Sequence, residues 1–216
     1  MKIHIDFTEG ALPIYSAVFL PVCEGNIGRG IESLLYSIID ERECALMEKE
    51  IETITLTPYL PEHLHQLSQF YLPNTQTPFS ALPEESLKYC REDCDRHPFV
   101  ILADGIPVGF FVLHIGENTA PFTSDKKAIL LRGFLVDQKH QGKGIAKKAL
   151  QILPEFTKGI FPNKDSIILA VDVMNVNAKT LYEKAGYQDT GIQKEGRSGL
   201  MEIMEYKLDM GNKDME

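Results

Sequence analysis

Residues 136–146, Val136-Asp137-Gln138-Lys139-His140-Gln141-Gly142-Lys143-Gly144-Ile145-Ala146, constrain this chain more than any other segment. They follow an apolar run with strand character and open an amphipathic run with helical spacing. Glycines at that junction let the backbone turn tightly and leave N–H groups exposed where the positive end of a helix favours anions. The position suits a diphosphate. A nicotinamide fingerprint needs a third glycine where this chain has Lys147, and a P-loop needs Lys-Ser or Lys-Thr where it has Lys143-Gly144. Neither fits.

A second ordered pattern lies downstream at Asn175, Ala178, Leu181, Tyr182, Glu183, Lys184, Ala185, Gly186 and Tyr187. Local physics accounts for part of it. Asn177 is suited to cap a helix, Ala178 and Tyr182 share a face, and Gly186 can end the helix in the left-handed conformation. By packing alone, Tyr182 is an amphipathic helix residue.

Together, Gln-x-x-Gly-x-Ala at Gln141, Gly144 and Ala146 and the pattern Asn175 to Tyr187 resemble the two signatures of the GCN5-related N-acetyltransferase (GNAT) superfamily, in its bacterial small-molecule form. The resemblance spans about residues 51–210. It implies acetyl-CoA as cosubstrate, with Gln141, Gly142, Lys143, Gly144, Ile145 and Ala146 holding the diphosphate and Asn175 also on the cofactor side. It implies that the pantetheine arm lies along Phe134, Leu135 and Val136, between two splayed strands. It assigns Tyr182 as general acid for the departing thiolate and the backbone N–H of Val136 to the tetrahedral oxyanion. The acceptor implied is a small-molecule primary amine, with a polyamine as first expectation. The same residues also allow a CoA-binding sensor without turnover, or a protein whose N-terminal helix recruits a partner.

The remaining pattern predicts an α/β (α+β) fold: a mixed, mostly antiparallel sheet flanked by helices. Strands are expected near 54–56, 99–103, 108–115, 128–136, 167–171, 187–193 and 201–208, with a compact turn at Asp104-Gly105-Ile106-Pro107. Helices are expected over 63–70, 83–94, from about 142 and from about 178, and the proline-rich stretch 72–83 is expected to be a loop. Pro154 is expected to end or kink its helix.

Residues 1–50 form an expected N-terminal extension, with a short strand at 2–7 and a helix carrying Ile31, Leu34, Leu35, Ile38 and Ile39 on one stripe, and residues 51–216 the transferase domain. That stripe needs cover from the catalytic core or from a second copy of the chain, so a homodimer is one of two expected outcomes.

A net charge of -9 argues against a nucleic-acid surface, which needs concentrated Lys and Arg. No signal-like start and no membrane-length apolar run are present, so a cytoplasmic location without membrane partners is expected. Cys23, Cys44, Cys90 and Cys94 read as reduced thiols, and no metal is expected although Cys90, Cys94 and His97 are close in sequence.

Two features resist assignment. Arg132 interrupts an apolar strand and must point into a cleft or pair with a carboxylate. No acidic residue occupies that strand, so the general base is open: His114, Glu117 or a carboxylate outside the motifs are the candidates, with His114 also readable as a surface residue at a strand end.

Overall fold

The computed structural model describes residues 53–208. The expected extension 1–50, its boundary with the next domain, the apolar stripe, Cys23 and Cys44 lie outside the described residues.

Seven strands form one sheet in the order β1-β2-β3-β4-β5-β7-β6. They are β1 (Ile54–Pro58), β2 (Arg96–Ala103), β3 (Ile106–His114), β4 (Ala128–Val136), β5 (Ser166–Asp172), β6 (Gln188–Glu195) and β7 (Leu200–Lys207). All neighbours pair antiparallel except β4 and β5, which run parallel. The mixed sheet expected from the alternation of elements is therefore present.

The helices are α1 (Leu64–Leu67), entered through a 3-10 turn at Pro61–His63, α2 (Pro83–Glu92), α3 (Ile145–Ile160) and α4 (Val176–Lys184). The helix expected over 63–70 closes after one turn, because the Ser68 hydroxyl bonds back to the His65 carbonyl and Phe70 N bonds to Leu67 O in 3-10 fashion. The β2–β3 turn is tighter than expected. Asp104 and Gly105 both take positive φ, the geometry of a two-residue type I′ turn, so Ile106 and Pro107 already belong to β3. Pro107 faces Leu102 beside a register shift, where a missing N–H is tolerated.

Pro154 neither ends nor visibly divides α3, which continues to Ile160. Leu150, Leu153 and Thr157 on either side of it are fully buried, and Phe156 packs edge-on to Phe99 at 5.2 Å. Burial of that face outweighs one lost helical hydrogen bond.

The main core lies between α3, α4 and one sheet face, with Phe111, Leu113, Ile129, Leu131, Leu150 and Leu169 at its centre. A second cluster on the opposite face joins Leu67, Phe70 and Leu87 to Phe110, Val112 and Leu135. The two clusters trap the middle of the sheet, and β4 contributes to both. Its side chains switch faces at a bulge: Leu131 and Phe134 pack toward the main core, with the left-handed Gly133 between Arg132 and Phe134 absorbing the extra residue.

Candidate active site

The site begins where two strands part. β4 and β5 are in register from Ala128–Ser166 to Leu131–Leu169, and no pairing follows beyond that point. The distal residues of β4, Arg132 to Val136, and of β5, Ala170 to Asp172, therefore border an opening.

Two cavities occupy it. The larger, about 420 Å³, is lined by Phe134, Leu135, Val136, Gln141, Ala146, Asn175 and Tyr182 among others. The smaller, about 230 Å³, reaches Arg132, Gly133, Asp172 and Met201. Phe79, Ser80, Phe134, Asn175, Ala178 and Tyr182 line both, so these six stand at the junction.

Backbone direction along β4 follows from its hydrogen bonds. Asp137 N donates to Val108 O across the β3 side, and peptide groups alternate sides along a strand. Val136 N–H and C=O therefore face the opening, as do those of Phe134. The Val136 carbonyl is taken by the Gln141 side chain at 2.8 Å, on that same open side. Leu135 points its peptide group to β3 and its side chain into the second core cluster.

Gln141 is a clamp. Besides Val136 O it exchanges two amide hydrogen bonds of 3.0 Å with Gln76, in the loop before α2. Its own N–H donates to Gln138 O. Neither its side chain nor its amide is left for a diphosphate, so its part in the site is to shape the turn.

The turn itself opens outward. Gly142 and Gly144 have φ of 78° and 74°, and a Cβ on either would touch nothing within 4 Å. Gly144 is the N-cap of α3, and the first helical amides, those of Ile145, Ala146 and Lys147, have no acceptor among the described residues. The side chain of Ile145 is core, buried to 2%. Gly142, Lys143 and Gly144 are exposed at the mouth and line neither cavity. Lys139, Lys143 and Lys147 are all exposed around it, a basic patch on an acidic chain. The lysine density of 139–148 carried that signal in the sequence.

On the other wall, α4 starts one residue after Asn175, whose Oδ1 accepts from Ala178 N at 3.3 Å. Asn175, not Asn177, is thus the cap: the β5 strand turns through Asp172, which holds Met174 N at 2.8 Å, and so sets the helix start two residues earlier than expected. Gly186 ends the helix segment with φ 97°.

Tyr182 is 9% exposed and packs edge-on to Phe134 and Tyr187, at 6.4 and 5.7 Å between ring centres. No protein hydrogen bond is made by its hydroxyl among the described residues. Burial pushes its pKa up, so the phenol keeps its proton across the neutral range.

The base candidates separate. His114 is wholly buried at the end of β3 and lines neither cavity, so it is not the surface residue that its strand-end position suggests. Its Nδ1 accepts from Arg132 Nε at 3.0 Å, which leaves the ring proton on Nε2, 3.1 Å from Asp93 Oδ2. That N–H is not aligned squarely on the oxygen, so the contact is mainly electrostatic. Burial, then the Arg132 and Arg96 charges, lower the His114 pKa and keep the ring neutral. Glu117 is exposed in a 3-10 turn and also lines neither cavity. Asp172, missed in the sequence because it belongs to neither motif, is 8% exposed and lines the smaller cavity.

Arg132 lies in that cavity's wall with its guanidinium 4.7 Å above the Phe122 ring. No carboxylate pairs with it directly among the described residues. Burial and then the Arg96 charge lower its pKa to about 10, and the Asp93 charge offsets this in part. Cys90 and Cys94 are free thiols, and the described residues contain no group of three His, Cys, Asp or Glu side chains placed for a metal ion. No described helix is long and apolar enough to cross a membrane.

Comparison with known proteins agrees with this architecture. Residues 64–187 match the family model described as Acetyltransferase (GNAT) family. An N-acetyltransferase of Bacillus subtilis (strain 168), YbbJ, is 43% identical over 158 residues, covering 73% of this chain and 99% of that protein. A spermine/spermidine N(1)-acetyltransferase of the same organism is 30% identical over 113 residues, 50% of this chain and 72% of that one. Among solved structures, aminoglycoside acetyltransferase AAC(6')-Ib with ribostamycin and coenzyme A superposes with a TM-score of 0.61 at 18% identity, over 76% of this chain and 100% of that one. Spermidine N-acetyltransferase from Vibrio cholerae with CoA and spermine gives 0.56 at 20% identity, over 72% and 95%. The two structural likenesses carry the fold. The family model, matched over more than half of the chain, and the 43% identity across almost all of YbbJ establish that this chain belongs to the GNAT family of acetyltransferases.

Proposed function

We propose that the protein transfers an acetyl group from acetyl-CoA to a small-molecule primary amine by direct attack. The observation that carries this reading is the placement of Tyr182 on the walls of both cavities, so that one phenol faces the thioester end of one ligand and the amine end of another.

The larger cavity takes the pantetheine arm along the open edge of β4, where Phe134 offers its peptide group and Val136 its N–H as a neighbouring strand would. Its diphosphate lies over Gly142 to Ala146, where unpaired amides, the α3 dipole and the exposed lysines all favour negative charge. Gln141, through Gln76 and Val136 O, and Asn175, through its Oδ1 on Ala178 N, shape the two sides of the mouth. The Nδ2 group of Asn175 is the part of that residue left to meet the arm.

In the reaction the amine nitrogen adds to the thioester carbonyl carbon, the C–S bond breaks and an amide forms. The oxyanion formed on the way meets the Val136 N–H. Tyr182 gives its proton to the departing thiolate and regains one from the amine by way of water. The extra proton of the starting ammonium ends in solvent. For a lysine-like amine, releasing it at neutral pH costs roughly 4 to 5 kcal/mol. Asp172 fits the part of accepting it, because it is the buried carboxylate on the cavity wall.

The test is thiol release from acetyl-CoA against a panel of amines. Turnover with small amines supports the reading. Tight acetyl-CoA binding with no turnover on any amine would leave a sensor module instead.

A further inference from the structure

The smaller cavity carries opposite charges at two places on its wall. Arg132 belongs to β4 and Asp172 to β5, beyond the last paired residues Leu131 and Leu169. Arg132 sits one residue past that pair and Asp172 three, so Asp172 lies about 7 Å further along its strand at ~3.3 Å per residue.

Arg132 is held rather than neutralised. Its Nε–H is used by His114 at 3.0 Å and its plane is supported by Phe122 at 4.7 Å. The nearest negative charge in this network, Asp93, is reached only through His114 and is shared with Arg96 at 3.3 Å, Asn118 at 3.1 Å and Asp95 N at 3.1 Å. Both terminal nitrogens of Arg132 therefore keep their donors without a partner among the described residues. A cation so fixed, in a wall rather than in open water, is stabilised by an anion delivered with the ligand. A guanidinium plane with two terminal donors matches a carboxylate in bidentate fashion.

Asp172 supplies the complement. One oxygen holds Met174 N at 2.8 Å, and the other has no hydrogen-bond partner among the described residues. The cavity volume of about 230 Å³ lies below the 300–1,000 Å³ typical of sites for drug-sized ligands.

We propose that this cavity takes an amine that also bears a carboxylate, an acceptor of the amino-acid class, with Arg132 receiving the carboxylate and Asp172 the amine. The proposal deepens the small-molecule reading above and rests on it. A polyamine, cationic along its whole length, satisfies Asp172 but brings no carboxylate to Arg132 and meets its charge with like charge.

The experiment compares matched pairs of amines that differ only in the carboxylate: lysine and cadaverine, ornithine and putrescine, methionine and 3-(methylthio)propylamine, with spermidine as a further arm. Thiol release from acetyl-CoA is read as kcat/KM. The expected result is at least a tenfold preference for one or more amino acids over their decarboxylated partners, a ratio that falls toward one in Arg132→Met. A preference for the decarboxylated members or for spermidine overturns the proposal while leaving the small-molecule reading intact. An Arg132→Met variant that melts like the wild type and keeps the wild-type ratio overturns the role of Arg132. Should that variant not fold, the wild-type ratio alone decides. No turnover with any amine overturns the small-molecule reading and this proposal with it.

Discussion

Gln76 and Gln141 exchange both side-chain amide hydrogen bonds, each 3.0 Å, across 65 residues of sequence. Through this pair the proline-rich loop before α2 is tied to the turn that opens α3, and Gln141 adds a third bond to Val136 O at 2.8 Å. The clamp predicts coupling. Gln76→Ala and Gln141→Ala are each expected to destabilise the fold by about 0.5 to 1.5 kcal/mol per hydrogen bond lost. Their double mutant should cost less than the sum, because each single change removes the same pair. Denaturant unfolding of the four proteins measures the coupling, and strict additivity would show that the pair is incidental.

Gly144→Val isolates backbone conformation. A Cβ there meets nothing within 4 Å, so crowding is absent, but φ of 74° is costly for a β-branched residue, about 1 to 2 kcal/mol or more. The expected outcome is a folded protein with at least tenfold weaker acetyl-CoA binding by calorimetry, since the amides of the first α3 turn lose their aim. Wild-type affinity would move the diphosphate away from this turn.

Tyr182→Phe removes one hydroxyl and little volume. Turnover is expected to fall about 100-fold with acetyl-CoA affinity changed less than threefold, the pattern of a proton donor used only as charge reaches sulfur. A variant with wild-type kcat would return Tyr182 to packing against Phe134 and Tyr187.

Gly109→Ala tests how the sheet positions the oxyanion donor. Gly109 faces Val136 in the β3–β4 register, and a Cβ there would lie 2.7 Å from both Leu135 O and Ile101 Cδ1. The side chain could yield but the carbonyl belongs to β4. Destabilisation of about 1 to 3 kcal/mol is expected. Activity should fall in the fraction that remains folded, checked by thermal melting alongside turnover.

His114 predicts a pH dependence of stability. Burial, with the Arg132 and Arg96 charges next, depresses its folded pKa below the ordinary 6.5, so between the two values the unfolded chain binds the extra proton. This contribution to stability is complete above about pH 6.5 and is lost as pH falls through the folded value. His114→Gln, which can still accept from Arg132 and face Asp93, should flatten that limb of the unfolding free energy against pH. His140, also depressed by burial, leaves a residual slope. An unchanged slope in His114→Gln would mean that His114 is already accessible to protons in the folded state.

The legible parts of the fold were those written in local spacing. The sheet pattern, the turn at Gly142 to Gly144 and the place of Tyr182 on α4 follow from residues within a few positions of one another, where periodicity and glycine chemistry operate. Errors arose where a distant partner decided a local choice. Asn177 looked like the cap of α4, yet Asp172 at the end of β5 turns the chain early and hands that place to Asn175. Pro154 by itself predicts an end or a kink, yet Leu150, Leu153 and Thr157 are buried completely enough to carry α3 past it.

The sequence by itself determined the family, the strand–turn–helix that presents backbone amides and the phenol opposite them, because each is a short run whose chemistry is local. Only the tertiary structure decided which charged and polar groups lie together. It buries His114 between Arg132 and Asp93, brings Asp172 to the same cavity as Arg132 and commits Gln141 to Gln76 instead of to a ligand. Those outcomes depend on β4 and β5 separating after Leu131 and Leu169. The bulge at Gly133 follows directly on that point and both sheet faces are packed around it, and no window along the chain contains all of these.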